Sequence, residues 1–300
     1  MPDRRDFLGT ALALPALTMT PAAAAPALAR RAIPADGRRL PVIGLGTWQT
    51  FDVGSDAAAR TRLGGVLARF VELGGAVADS SPMYGSSESV LGELAAEQGL
   101  RERLFLATKI WTRGRSEGIA QMEESLRRLR APRIELMQVH NLVDWKQHLP
   151  LLREWKAQGR IRYLGISHYA AAAYGEVEAV LRTESLDFLQ INYSLLEQES
   201  ARRLLPLAAE RGVAVIVNRP FAEGALFSRV KDRVLPAEAA ALGCASWAQV
   251  FLRWILAHPA VTCAIPASGK QAHLEDNMAA GLGPLPGLAE QKALARMAGF

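Results

Sequence analysis

Cysteine is scarce in this chain, with only Cys244 and Cys263 among 300 residues. A disulfide framework of the kind that holds small secreted domains together is therefore excluded. Cys244 ends a loop-like stretch and Cys263 lies in an apolar run, so both read as isolated small hydrophobes. Histidine is also sparse at five residues, with no His-x-His pair and no carboxylate cluster at metal-ligand spacing. No metal is expected. No G-x-G-x-x-G follows the first apolar run, which removes the open, doubly wound dinucleotide-binding sheet. No apolar run is long enough to span a bilayer as a permanent helix. Charge of one sign is nearly lacking too: 35 Lys and Arg against 30 Asp and Glu leave a formal net charge of +5. The arginines of Ser125 to Arg133 interleave with Glu123, Glu124 and Glu135, a solvated face and no surface for nucleic acid or membrane.

What is there is half hydrophobic and 22% charged, enough to bury one large core. The first residues differ in kind. Asp3-Arg4-Arg5-Asp6-Phe7-Leu8 precedes a mildly apolar run, Gly9 to Thr20, and an Ala/Pro-rich stretch ending Ala27-Leu28-Ala29. This resembles a twin-arginine export signal with cleavage after Ala29, giving a signal over 1–29 and a single domain over 30–300. It implies the twin-arginine machinery as a partner and a periplasmic location, or a cytoplasmic one if the signal does not function.

Past the signal, Asp36-Gly37 between two extended stretches predicts a hairpin over Ala32 to Leu40. Eight short apolar runs then alternate with amphipathic stretches. The runs are Val42 to Leu45, Ala76 to Ala78, Leu104 to Ala107, Ile134 to Val139, Tyr163 to Ile166, Phe188 to Ile191, Val213 to Val217 and Val261 to Ile265. They are apolar on both faces, as in a covered parallel sheet. Helical patterns between them are capped at Asp56, Ser87, Ser116, Ser200 and Ser246. Eight such units predict a (β/α)8 TIM barrel with an N-terminal β-hairpin.

Three of the runs end in chemistry. Asp79-Ser80-Ser81-Pro82-Met83-Tyr84-Gly85 follows the second, Thr108-Lys109 the third and Gln138-Val139-His140-Asn141 the fourth. The unperturbed tyrosine pKa of about 10 makes it a poor acid. An adjacent ammonium stabilises its phenolate, and a carboxylate keeps that ammonium charged and placed. Asp79, Tyr84, Lys109 and His140 at the ends of successive parallel strands thus supply a proton donor, its tuning pair and a hydrogen-bond donor for a carbonyl oxygen.

In that order and spacing these strings, with Gly44-Leu45-Gly46-Thr47-Trp48, Gly165-Ile166-Ser167, Gln190-Ile191-Asn192-Tyr193 and Ile265-Pro266-Ala267-Ser268, make the chain resemble the aldo-keto reductases over about Leu40 to Ala280. The resemblance implies a reductase in which hydride comes from a nicotinamide and the proton from Tyr84, tuned by Lys109 and Asp79, with His140 orienting the carbonyl. It places Ser167, His168 and Gln190 at the nicotinamide carboxamide and Asp52 near a ribose. Phe221, Glu223 and Gly224 fall in the loop over the pyrophosphate. Ser268, Lys270, His273 and Asn277 fall at the adenosine 2'-phosphate and adenine, and the lysine beside a dianion favours NADP(H) over NAD(H). Trp48, Trp111 and Asn141 are expected to wall an apolar pocket for aldehydes and ketones.

There are departures: His168 stands where many relatives carry Asn, and Asn218 stands where an aromatic often stacks on the nicotinamide. The short tail after Asn277, ending in a helix over Leu288 to Met297, implies an open site. The expected protein is a monomer or weak oligomer. The competing reading keeps the barrel as a nicotinamide-binding sensor or interaction protein with little turnover, but a binding protein has no need of the acid.

Overall fold

The computed structural model of the chain describes residues 27–300. The twin-arginine motif and its apolar run therefore lie outside the described residues. A short hairpin opens the fold, β1 (Arg30–Ala32) antiparallel to β2 (Arg39–Pro41). The barrel proper then runs β3 (Leu45–Gly46), α1 (Ala57–Glu72), β4 (Val77–Asp79), α2 (Ser87–Glu97), β5 (Phe105–Ile110), α3 (Arg115–Arg128), β6 (Ile134–His140) and α4 (Trp145–Ala157). It continues through β7 (Ile161–Ser167), α5 (Tyr174–Thr183), β8 (Phe188–Asn192), α6 (Glu199–Glu210) and β9 (Ala214–Asn218). After α7 (Ala225–Val230), α8 (Glu238–Ala241) and α9 (Trp247–Leu256) come β10 (Val261–Ala264), α10 (Gln271–Ala279) and α11 (Leu288–Ala298).

Strands β3 to β10 pair in sequence order, all parallel. The sheet closes where Gly44 N–H donates to Ala264 O at 2.8 Å and Ala264 N–H returns to Val42 O at 2.9 Å. The residues Val42 to Gly44, expected as strand, are spent on this seam and only Leu45 and Gly46 form ladder. Closure needs the backbones in contact: a Cβ on Gly46 would stand 2.8 Å from Ile265 O.

Strand alternation sorts the side chains. Val77, Phe105, Ala107, Leu136, Tyr163, Phe188, Ala214, Ile216, Cys263 and Ile265 fill the barrel as one buried cluster. Phe105, Tyr163 and Phe188 meet with centroids 5.4–6.0 Å apart. Ile33 and Leu40 of the hairpin join the same cluster, so the hairpin plugs the N-terminal end of the barrel. The next inward positions toward the C-terminal ends are Asp79, Lys109, Gln138, Gln190 and Asn218, a polar layer standing directly on the apolar fill.

Two of the five expected caps hold their helices. Asp56 accepts from Ala59 N–H at 3.0 Å, and Ser246 from Gln249 N–H at 3.1 Å. Ser116 sits inside α3, whose cap is Gly114, and Ser200 sits inside α6 with its hydroxyl donated to Asn192 O. Ser87 likewise lies inside α2, and the preceding Ser86 bonds Asp52 and Gly54 instead of the helix end. The two cysteines are buried and unbonded to each other. The described chain engages the barrel from Ala27 onward: Ala29 N–H donates to Gly281 O at 2.8 Å and Ala29 O accepts from Val42 N–H. Among the described residues no helix is long and apolar enough to cross a membrane.

Candidate active site

Strand order brings the four residues of the expected proton-transfer set to one end of the barrel. Asp79 ends β4 and Lys109 lies one residue from the end of its neighbour β5, both pointing inward. Lys109 Nζ donates to Asp79 Oδ2 at 2.6 Å and to Ser80 O at 2.7 Å, and both side chains are buried. The other carboxylate oxygen, Oδ1, accepts from Gln190 Nε2 at 2.8 Å and from Gln138 Nε2 at 3.4 Å. Asp79 is thus held from three strands. Burial works against the Lys109 ammonium, but Asp79 and then Tyr84 outweigh it and the net direction is upward. The lysine is a cation at any physiological pH.

Tyr84 rides on the turn after β4, its N–H bonded to Ser81 O at 3.0 Å, with Lys109 Nζ 5.2 Å from its ring centroid. Burial raises the phenol above its ordinary value, the Lys109 charge pulls it down and Asp79 pushes it up, for a net rise. Tyr84 therefore holds its proton until an acceptor arrives. His140 ends β6 and meets Tyr84 edge-on, centroids 6.1 Å apart and planes at 82°. Its Nδ1 is 2.8 Å from Ser167 Oγ, and Nε2 has no hydrogen-bond partner among the described residues. Burial first, then the Lys109 charge, depresses the imidazole to about 2. It is a neutral ring with one nitrogen unpartnered among the described residues.

The residues expected around the cofactor fall on the later strands of the same mouth. Ser167 and Gln190 are register partners on β7 and β8. His168 Nδ1 accepts from the N–H groups of both Tyr169 and Ala170 at 3.0 Å. Two donors on Nδ1 fix the ring proton on Nε2, so His168 presents a donor where an Asn amide would. Asn218 ends β9 with Nδ2 3.4 Å from His168 O and Oδ1 buried without a partner. Asn141 Oδ1 and Gln138 Oε1 are orphaned in the same way. Buried polar atoms without partners are costly, and three at one mouth fit a polar ligand such as a nicotinamide carboxamide or a carbonyl substrate. Ser268 and Asn277 are tied by a 2.9 Å hydrogen bond, and Lys270 and His273 stand exposed at the start of α10, a helix end suited to phosphate.

Other expected residues are engaged differently. Asp52 accepts from both the N–H (2.8 Å) and the hydroxyl (2.7 Å) of Ser86, which pins the turn carrying Tyr84. Gly85 there has φ +58°, and a Cβ on it would collide with the Asp52 carboxylate at 2.3 Å. Phe221 packs on Phe227 with centroids 4.9 Å apart. Glu223 reaches Arg219 at 3.2 Å, and Gly224 follows in a left-handed conformation. Trp48 and Trp111 are exposed, and Asn141 follows the end of β6 with its N–H donated to Ser167 O at 2.7 Å. Sequence reasoning assigned no role to Gln138 or Arg219. Gln138 had a signal: like Gln190, it sits two residues past an interior hydrophobe.

A barrel whose polar end layer joins a buried ammonium–carboxylate pair to a protonated phenol and a neutral imidazole belongs to the class of proton-transferring oxidoreductases built for carbonyls. The chain matches the Aldo/keto reductase family over residues 42–287 and belongs to it. It is 32% identical over 247 residues to the methylglyoxal reductase YeaE of Escherichia coli K12, covering 80% of this chain and 85% of that protein. Methylglyoxal reductase DkgB of Escherichia coli O157:H7 is 29% identical over 249 residues, covering 80% and 87%. Among solved structures, an aldo-keto reductase from Klebsiella pneumoniae in complex with NADPH superposes with a TM-score of 0.74 at 26% identity, covering 90% of this chain and 96% of that one. The activity of this chain is NAD(P)H-dependent reduction of carbonyls.

Proposed function

We propose that the chain reduces small aldehydes and dicarbonyls to alcohols, with Tyr84 as the acid, NADP(H) preferred over NAD(H), and methylglyoxal among its substrates. The observation that carries this is the buried Lys109–Asp79 pair at 2.6 Å beneath Tyr84. A bound nicotinamide supplies the hydride to the carbonyl carbon. The residues of this chain do the rest.

His140 Nε2, its ring neutral and braced through Nδ1 by Ser167, orients the carbonyl oxygen toward Tyr84. Tyr84 delivers its proton to that oxygen as negative charge builds there. The phenolate left behind is stabilised by the Lys109 ammonium, which Asp79 holds in place. The pinned turn at Asp52 and Ser86 keeps the phenol from swinging out. Ser167, the Nε2–H of His168 and the orphaned Asn218 Oδ1 are the groups available to a carboxamide. Lys270, at the start of α10, is the basic contact for a 2'-phosphate.

The proposal includes export through the twin-arginine signal over 1–29 to the periplasm, supported by Arg4-Arg5-Asp6-Phe7-Leu8 and Ala27-Leu28-Ala29. Ala29 is hydrogen-bonded on both sides in the barrel, so cleavage after it requires that strap to lift. The test is loss of NADPH absorbance with methylglyoxal and a panel of aldehydes, alongside NADPH binding by fluorescence quenching. Turnover with a lower KM for NADPH than for NADH is the expected result. Tight NADPH binding without turnover on any carbonyl would move the function to a nicotinamide-binding protein.

A further inference from the structure

We infer that Gln121, a residue of α3 that does not reach the reacting carbonyl, is a positioning residue that sets the size selectivity of the site by fixing Trp111. The inference rests on the reading of the site as a carbonyl reductase.

Trp111 follows β5, two residues past Lys109 and so on the same side of the strand, and is 43% exposed at the barrel mouth. An exposed indole on a short connection is a defined wall only if its backbone is defined. Gln121 does this with one amide: Oε1 accepts from Trp111 N–H at 2.5 Å, and Nε2 donates to Trp111 O at 3.2 Å. Both backbone polar groups of one residue are thereby satisfied by a single side chain one and a half turns into the next helix.

Two further side chains hold the same connection. Asp144 Oδ2, at the start of α4, accepts from Gly114 N–H at 2.8 Å. His148 is fully buried on α4, and its Nε2 lies 2.8 Å from Thr112 O, which makes it the donor there. His148 reaches that carbonyl because residue 118 is glycine: a Cβ on Gly118 would stand 2.8 Å from His148 Cε1. Residues 111–114 are thus anchored by side chains from two helices outside the barrel. Gln121 alone acts on the residue that walls the pocket, so the position of that wall is set from outside it.

The test compares methylglyoxal with phenylglyoxal, the same dicarbonyl carrying a phenyl group, in the full chain with NADPH. Gln121→Ala is expected to raise the KM for phenylglyoxal about tenfold, leaving kcat for both substrates and the KM for methylglyoxal unchanged. Gln121→Glu, which keeps an acceptor for the Trp111 N–H, is expected to fall between, and it replaces the alanine variant if that one does not fold. Trp111→Ala should raise the same KM, and adding Gln121→Ala to it should raise it no further, because the two act through one side chain. Trypsin cleavage after Arg113, in the anchored connection, should accelerate in Gln121→Ala independently of turnover. Equal KM shifts for both substrates, or additive effects of the two substitutions, would overturn the inference and leave Gln121 a purely structural contact. A wild-type chain that reduces neither dicarbonyl would overturn the reductase reading itself, and this inference with it.

Discussion

Removing the Lys109 charge should cost far more than removing the whole ion pair. Lys109 Nζ is 2.6 Å from Asp79 Oδ2, and both side chains are almost wholly excluded from solvent, at 0% and 3% exposure. The remaining partners of Asp79 are the neutral amides of Gln190 and Gln138. In Lys109→Met the carboxylate stays buried with two neutral donors and no counter-ion, a situation that costs about 3–5 kcal/mol. In the double variant Lys109→Met/Asp79→Leu no buried charge remains, and apolar replacement of such a pair is close to neutral. The two glutamines then lose an acceptor, which adds back about 1–3 kcal/mol. The double variant should therefore be more stable than Lys109→Met by about 2 kcal/mol. Urea unfolding followed by circular dichroism at neutral pH reads this directly. A double variant as unstable as the sum of the single ones would refute the argument, because it would mean that the charges do not compensate each other where they stand.

Lys270→Ala should weaken NADPH binding by about 10- to 100-fold, the worth of a charge-assisted contact, and leave NADH binding unchanged in a fluorescence titration. With Tyr84 raised above its ordinary value, carbonyl reduction should stay flat up to about pH 10. Alcohol oxidation, which needs the phenolate, should rise about tenfold per pH unit over the same range. His140 is neutral in the folded chain down to about pH 2, whereas the unfolded chain takes up that proton below about pH 6.5. Its contribution is therefore stability present above about pH 6.5 that falls by about 1.4 kcal/mol for each pH unit below it. His140→Asn should remove that component of the acid slope in denaturant unfolding.

Much of the fold was legible because the strands are apolar on both faces and the helices on one. The polar layer was legible for the same reason. Asp79, Lys109 and Gln190 interrupt runs whose inward positions are otherwise Val77, Ala107 and Phe188, and a polar residue there has no apolar role. The first strand is shorter than its apolar run because Val42 to Gly44 serve the closing seam with β10, a contact between the two ends of the sheet that no local pattern records. Ser87 lies one residue inside its helix behind Ser86, whose hydroxyl is spent on Asp52, Ser116 lies behind a Gly114 cap, and the Ser200 hydroxyl is donated to Asn192 O. Helices α7 and α8 in the connection after β9 leave too little periodicity in six and four residues to be legible. The locking of Asp79 by two glutamines, the fixed tautomer of His168 and the double hydrogen bond from Gln121 to Trp111 each join residues that meet only after closure.

Tyr84 is the proposed proton donor of a carbonyl reduction. The most direct test of that role is Tyr84→Phe, assayed for methylglyoxal reduction with saturating NADPH and for NADPH binding by fluorescence. The phenyl ring keeps the edge contact with His140, and the Lys109–Asp79 pair does not depend on the hydroxyl. The kcat of this variant is expected to fall about 10²- to 10⁴-fold with NADPH affinity unchanged. A variant that binds NADPH normally and turns over at the wild-type rate would contradict that role.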